Sequence, residues 1–155
     1  MYKKVLVPLD GSELAECVLP HLDIIASRGG VKTIAFLRVV KPFYPVGDYM
    51  GDYVSAVDVV SINKEAVADA EDYLKKITEK VKYPGVKVGW EVVRGNEADS
   101  ITEYVKKNEV DLIIIATHGR SGVSRWVMGS VADRVMRSAC VPVLMVRAPG
   151  CVPGF

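Results

Sequence analysis

The sequence predicts an α/β protein: a doubly wound, five-stranded parallel sheet in the order 3-2-1-4-5, with helices on both faces. Three observations carry this. Apolar runs of strand length alternate strictly with segments of helical periodicity, in the order β-α-β-α-β-α-β-α-β. The central run, Leu112-Ile113-Ile114-Ile115-Ala116, has no polar interruption, as a strand buried on both faces requires. Two of the runs end in small, polar loops, Pro8 to Ser12 and Thr117 to Gly122. In a doubly wound order these loops follow the first and fourth strands and face one crevice, where the chain reverses direction.

In chain order, Val5-Leu6-Val7 forms the heart of the first strand, ended by Pro8-Leu9-Asp10-Gly11-Ser12. Ser12 is placed to cap a helix, with Glu13 and Glu16 near its positive end. Leu14, Val18, Leu22 and Ile25 make its apolar stripe, and Pro20 is expected to kink or shorten it. Gly29-Gly30 stops it, and Thr33 to Val40, TIAFLRVV, is the second strand. Lys41 to Val60 carries prolines, glycines and four aromatics without periodicity. Either it is a surface insertion or it serves as a lid or partner-binding loop. A long helix is expected from about Ser61, with Ala66, Ala70, Tyr73, Leu74, Ile77 and Val81 on one face. After the turn Tyr83-Pro84-Gly85, the alternation of Val86, Val88, Trp90 and Val92 with wetter positions marks an edge strand. Asn96 is an N-cap candidate for a third helix that turns Ile101 and Val105 inward. A fourth helix spans about Ser130 to Ala139, and Val141 to Val146 is the last strand.

The chain of 155 residues suits one domain, 1–148, followed by a glycine- and proline-bearing tail over 149–155. Twenty basic and 19 acidic residues leave a net charge of +1, which gives no footprint for general nucleic-acid or membrane binding. No apolar run approaches the ~20 residues of a membrane span, and Val5 to Leu9 is too short for a signal-peptide core. Cys17, Cys140 and Cys151 are odd in number and lack CxxC spacing, so neither a disulfide framework nor a zinc site is indicated. Cys140 reads as a buried small hydrophobe. These features favour the cytoplasm.

The stretch Val110 to Val131 carries the chemistry. It reads as buried strand, glycine-bearing loop and helix start, with Ser130 as N-cap and Asp133 in the first turn. Such a loop offers backbone N–H groups and a positive helix end, and both favour phosphate. Asp10 is the carboxylate that ends the neighbouring strand. It suits either a ligand contact or a helix-side cap.

The chain resembles the universal stress proteins over nearly its whole length. The likeness lies in VLVPLDGSELAE, in the strand spacing, and in THGRSGVSRWVMGSVADRVMRSACVPVLMVR. The family's nucleotide-binding branch carries glycine, two residues, glycine, nine residues, glycine, then serine or threonine. Gly119, the nine residues Arg120 to Met128, and Gly129-Ser130 fit, and Ala116 stands where the first glycine would. The resemblance implies a Rossmann-like fold of the adenine nucleotide alpha hydrolase type and an ATP site. By motif position, Pro8 and Leu9 wall the base, Asp10 meets the ribose, and the backbone of Val39 meets the adenine edge. His118, Gly119 and Arg120 approach the phosphates with Gly129, Ser130 and Val131, Ala116 belongs to the site as the first motif position, and Mg²⁺ or Mn²⁺ is carried on the phosphates if present. Family members dimerise through the last strand, here Val143 to Val146, which implies a homodimer.

For catalysis the loop lacks the lysine of a Walker motif before Ser130, and no Gly-x-Ser-x-Gly elbow occurs. His118 and His21 are the two histidines, too few for a metal cluster. Arg125 and Trp126 read as an amphipathic surface pair. The leading expectation is an ATP-binding regulatory protein acting through conformation or assembly, with no catalytic residues. The alternatives are a slow ATPase or adenylate-transferring enzyme on the same fold, and a dimeric interaction module without nucleotide.

Overall fold

In the computed structural model, which describes residues 2–28, 30–44, 56–117 and 129–147, five strands alternate with four α-helices. The strands are β1 (Lys4–Pro8), β2 (Thr33–Val40), β3 (Lys87–Arg94), β4 (Leu112–Ala116) and β5 (Val143–Val146). The helices are α1 (Leu19–Arg28), α2 (Ala56–Lys80), α3 (Glu97–Lys107) and α4 (Ser130–Ser138). All four strand pairings are parallel, and the sheet order is β3-β2-β1-β4-β5, as expected from the alternation. The non-consecutive neighbours are β1 and β4, in register at Val5–Leu112 and Leu6–Ile113.

Side-chain alternation splits the core into two layers. Val5, Val7, Ile34, Phe36, Leu112 and Ile114 meet Leu22 of α1 and Leu74 and Ile77 of α2 on one face. Leu6, Ala35, Leu37, Ile113 and Ile115 meet Ile101 and Val105 of α3 and Val135 of α4 on the other. β4 is buried at every position, which explains its uninterrupted apolar run. β3 and β5 are the edges. Asn96 caps α3 by accepting the Asp99 N–H at 3.5 Å, as its position predicts.

Several local expectations change. Ser12 Oγ does accept the Ala15 N–H at 3.2 Å, but what it caps is a 3-10 turn, Ala15–Val18. α1 then starts at Leu19, so Pro20 falls in its first turn, where a missing N–H costs nothing. The α-helix is thus shortened at its start, one of the two outcomes expected of Pro20. α2 begins at Ala56, ahead of the Ser61 expected. Val60 and Ile62 are 67% and 42% exposed, so apolar residues on the wet side masked the helical stripe. Trp90 is 39% exposed, not core, because β3 has no outer neighbour in the sheet. Cys140 is exposed, not buried, because it follows the end of α4. Residues 45–55, with Tyr49 and Tyr53, and the tail over 149–155 lie outside the described residues.

Two side chains tie segments together through backbone bonds. Asn63 of α2 accepts the Phe43 N–H at 2.6 Å and donates to the Phe43 carbonyl at 3.0 Å, holding the chain after β2 against the helix. Asp111, just before β4, accepts the Lys3 and Lys4 N–H groups at 2.7 and 3.1 Å. Those bonds join the starts of the two central strands. Hydrogen bonds to a charged acceptor are worth about 1.5–3 kcal/mol. Asp111→Ala is therefore expected to lower unfolding free energy by about 1–2 kcal/mol in urea titration, whereas Asp111→Asn, which keeps an acceptor oxygen, loses less.

Candidate functional site

At the carboxyl edge of the sheet, the strand reversal between β1 and β4 opens a crevice of about 600 Å³. That volume lies within the ~300–1,000 Å³ typical of small-molecule and cofactor sites. Three elements build it. The β1 end supplies Pro8, Leu9 and Asp10, the β2 end Leu37 to Lys41, and the β4 end with the start of α4 supplies Ile115, Ala116, Thr117 and Gly129 to Ala132. Of the residues singled out from the sequence, Pro8, Leu9, Asp10, Val39, Ala116, Gly129, Ser130 and Val131 all line this one space. His118, Gly119 and Arg120 lie outside the described residues, as do Arg125 and Trp126.

The β1 corner is a tight turn. Asp10 Oδ1 accepts the Ser12 N–H at 2.9 Å and the Ser12 hydroxyl at 2.6 Å. These bonds brace the turn itself and cap no helix, and the carboxylate lines the crevice; its two oxygens offer about four acceptor positions. Gly11 between them has φ +88°, a conformation that L side chains rarely adopt. A Cβ built there would also stand 2.9 Å from Arg38 Cζ.

The β2 corner is held by the Leu9 N–H donating to the Leu37 carbonyl at 2.9 Å. The β1–β2 register ends at Pro8–Leu37, whereas β2 runs on to Val40 beside β3. Past Leu37 the backbone of Val39 thus borders the crevice without a continuing β1 ladder.

The β4 corner is closed by two backbone bonds. Thr117 N–H donates to the Val146 carbonyl at 2.8 Å, and Gly129 N–H donates to the Thr117 carbonyl at 2.7 Å. The second bond brings the start of α4 back onto the end of β4. It also corrects the capping expectation. Gly129 is the N-cap, its carbonyl accepting the Asp133 N–H at 3.0 Å, and Ser130 is the first helical residue. The Gly129 N–H is used internally, so the donors that α4 turns to the crevice are those of Ser130, Val131 and Ala132, which have no intrahelical acceptor. Ala116 shares the inner layer with Leu112 and Ile114, on the sheet face opposite α4. Its backbone φ is not positive, so alanine stands in the motif's first glycine position without strain.

Sequence reasoning missed four charged lining residues: Arg38, Lys41, Asp69 of α2 and Glu97 of α3. Lys41 Nζ and Glu97 Oε2 form an ion pair at 3.0 Å. Arg38 places its guanidinium 5.2 Å from the centre of the Tyr73 ring, and Tyr73 Oη donates to Glu16 at 3.1 Å. A lone charge inside the apolar run TIAFLRVV was the available signal for Arg38. Asp69 had no such signal, because nothing in the sequence says which turn of α2 reaches the crevice. Among the described residues no group of three or more metal-binding side chains occurs.

An open parallel sheet with a crevice at its strand reversal, met by a helix start, defines the class: a doubly wound α/β protein with its site at the carboxyl edge. Within that class, the chain belongs to the universal stress protein family, which it matches over residues 1–147. It is 32% identical over 151 residues to universal stress protein MJ0531 of Methanocaldococcus jannaschii, covering 96% of this chain and 84% of that one. The solved structure of hypothetical protein MJ0577, from the same organism, matches with a TM-score of 0.81 at 25% identity and covers 97% of this chain and 99% of that one. A universal stress protein family protein of Arabidopsis thaliana, solved with AMP bound, shares the fold at TM-score 0.64 and 19% identity, covering 96% and 93%.

Burial raises the Tyr73 phenol above its ordinary value, the Glu16 charge and hydrogen bond and the Asp10 charge add to this, and Arg38 opposes it. Burial, with Asp23, raises Tyr83 in the same direction. A group whose folded value is raised contributes stability that is whole below its unfolded value, ~10 for tyrosine, and is lost as pH climbs toward the folded value. Unfolding free energy is therefore expected to fall between about pH 9 and pH 11. Tyr73→Phe should make that fall shallower in urea titrations at the two pH values.

Proposed function

We propose that this protein binds an adenine nucleotide, ATP in particular, in the carboxyl-edge crevice, and acts as a nucleotide-dependent regulator in the stress response through conformation or dimer assembly. The observation that carries the reading is convergence. A carboxylate turn, an open strand backbone and a helix start border one cavity of nucleotide-binding size. Family membership and the AMP-bound Arabidopsis relative support it.

In this reading Pro8 and Leu9 wall the base and the Val39 backbone meets the adenine edge. Asp10 accepts the ribose hydroxyls. The N–H groups of Ser130 and Val131 and the Ser130 hydroxyl meet phosphate oxygens at the positive end of α4. Gly129 contributes close approach, since its N–H is bound to Thr117. His118, Gly119 and Arg120 are proposed phosphate contacts on motif position alone. Mg²⁺ or Mn²⁺ would enter on the phosphates, which supply hard oxygen ligands. The alanine at 116 is compatible with the site, because it packs on the face away from α4.

Homodimerisation through Val143–Val146 is part of the proposal. β5 is an edge strand and Leu144 is 36% exposed, so pairing would cover both a row of backbone groups and apolar surface. A cytoplasmic setting accords with the cysteine pattern. No helix among the described residues is long and apolar enough to cross a membrane.

Proline is tolerated at the first helical position, and Gly129 before it, at φ −53° and ψ 136°, already has the extended geometry a following proline demands. Ser130→Pro is thus expected to leave the fold intact while deleting one N–H and the hydroxyl. ATP affinity by calorimetry should drop about tenfold, ~1.4 kcal/mol, with Ser130→Ala losing less. Absence of ATP binding to the unaltered protein would instead favour the interaction-module reading.

The slow-ATPase reading gains one observation, the carboxylates Asp69 and Glu97 in the same cavity. Yet Glu97 is engaged by Lys41, and positioning groups that serve bound and transition states alike give affinity without rate. Phosphate release with excess ATP and Mg²⁺ is expected to stay far below ~1 s⁻¹. A rate at or above that, abolished by Asp69→Asn or His118→Ala, would establish an enzyme.

A further inference from the structure

We propose that Arg38 is the residue that positions the Asp10 turn for ribose recognition, so that selection for a hydroxylated sugar is set from β2 as well as from β1. The inference rests on the nucleotide-binding reading and adds a positioning residue to it.

Arg38 is the one charged residue in the strand TIAFLRVV and is half-buried at its open end, lining the same cavity as Asp10. Strand alternation sends its side chain to the face of α2, where the guanidinium lies 5.2 Å from the centre of the Tyr73 ring. That ring is itself fixed, because Tyr73 Oη donates to Glu16 at 3.1 Å. The guanidinium therefore rests on a held platform. A planar cation stacked on an aromatic face keeps its orientation better than a lysine on a flexible stem.

Gly11, next to Asp10, shows how close the two strand ends come. A Cβ there would lie 2.9 Å from both Cζ and Nη1 of Arg38 and 3.0 Å from Nη2. The turn that carries Asp10 thus leaves no room for a side chain between Gly11 and the end of the guanidinium. Asp10 and Arg38 also act with opposite sign on the same phenol, as neighbours of opposite charge would. With five N–H donors, a guanidinium can steady a carboxylate turn and retain donors for a ligand. Asp10 is in turn bonded to Ser12, so the carboxylate is held from the turn, and the cation lies at the Gly11 corner of that same turn.

The consequence separates Arg38 from a packing role. If it acts through Asp10, its loss weakens only ligands whose ribose hydroxyls Asp10 would bind. The test is calorimetric titration of the full chain with ATP and with 2′,3′-dideoxy-ATP, for the unaltered protein, Arg38→Met and Arg38→Lys. Arg38→Met is expected to weaken ATP about tenfold and the dideoxy nucleotide less than about twofold, as removal of a polar group acting at the hydroxyls predicts. Arg38→Lys, which keeps the charge but not the planar stack, should fall between, and it decides the matter if Arg38→Met does not fold. Equal weakening of both nucleotides, or of neither, overturns the positioning role while leaving nucleotide binding standing. Failure of the unaltered protein to bind ATP overturns both.

Discussion

The pairing of β1 with β4 is the constraint on which the rest depends. The two strands are buried over Val5–Pro8 and Leu112–Ala116 and lie side by side although three α-helices and two strands of chain separate them. From β1 the chain moves outward through β2 to β3, and from β4 it moves the opposite way to β5. Right-handed crossovers then send α1 and α2 to one face and α3 and α4 to the other. The loops leaving β1 and β4 must diverge, and the gap between them cannot be filled by either crossover. The crevice is thus a by-product of topology, and its lining is whatever residues the strand ends carry.

What they carry is a balanced set of charges. Arg38 and Lys41 stand with Asp10, Asp69 and Glu97 around one cavity, and Lys41 is matched to Glu97 at its rim. Such a site does not present a strong field of one sign. A polyanionic ligand would be drawn by local donors at the α4 start and screened from the acidic groups only by geometry. Orientation of the ligand along the crevice would then matter as much as its charge.

The sheet order and the two-layer core could be inferred from the sequence because they rest on periodicity and on strand ends, both local properties, whereas Val39 and Val131 were reached only through motif positions of the family resemblance. The 3-10 turn ahead of Pro20, the start of α2 and the capping of α4 could not be inferred, because each depended on a competing local solution. Pro20 was absorbed by ending a 3-10 turn just before it. α2 extends through valines whose exposure hides the stripe. Ser130 yielded the cap to Gly129 because the Thr117 carbonyl fixes where the helix begins. Asp69 came to line the same cavity as Asp10 only through the docking of α2, which no spacing along the chain encodes.

The clasp between Asn63 and Phe43 has a consequence for how the family can vary. Its two backbone bonds join the chain after β2 directly to α2. Loop closure entropy rises only about 0.6 kcal/mol for each doubling of length. A stretch bracketed in this way can lengthen, shorten or exchange its sequence among descendants at small thermodynamic cost. Such change would leave the Phe43–Asn63 clasp, and with it the junction of β2 with α2, in place.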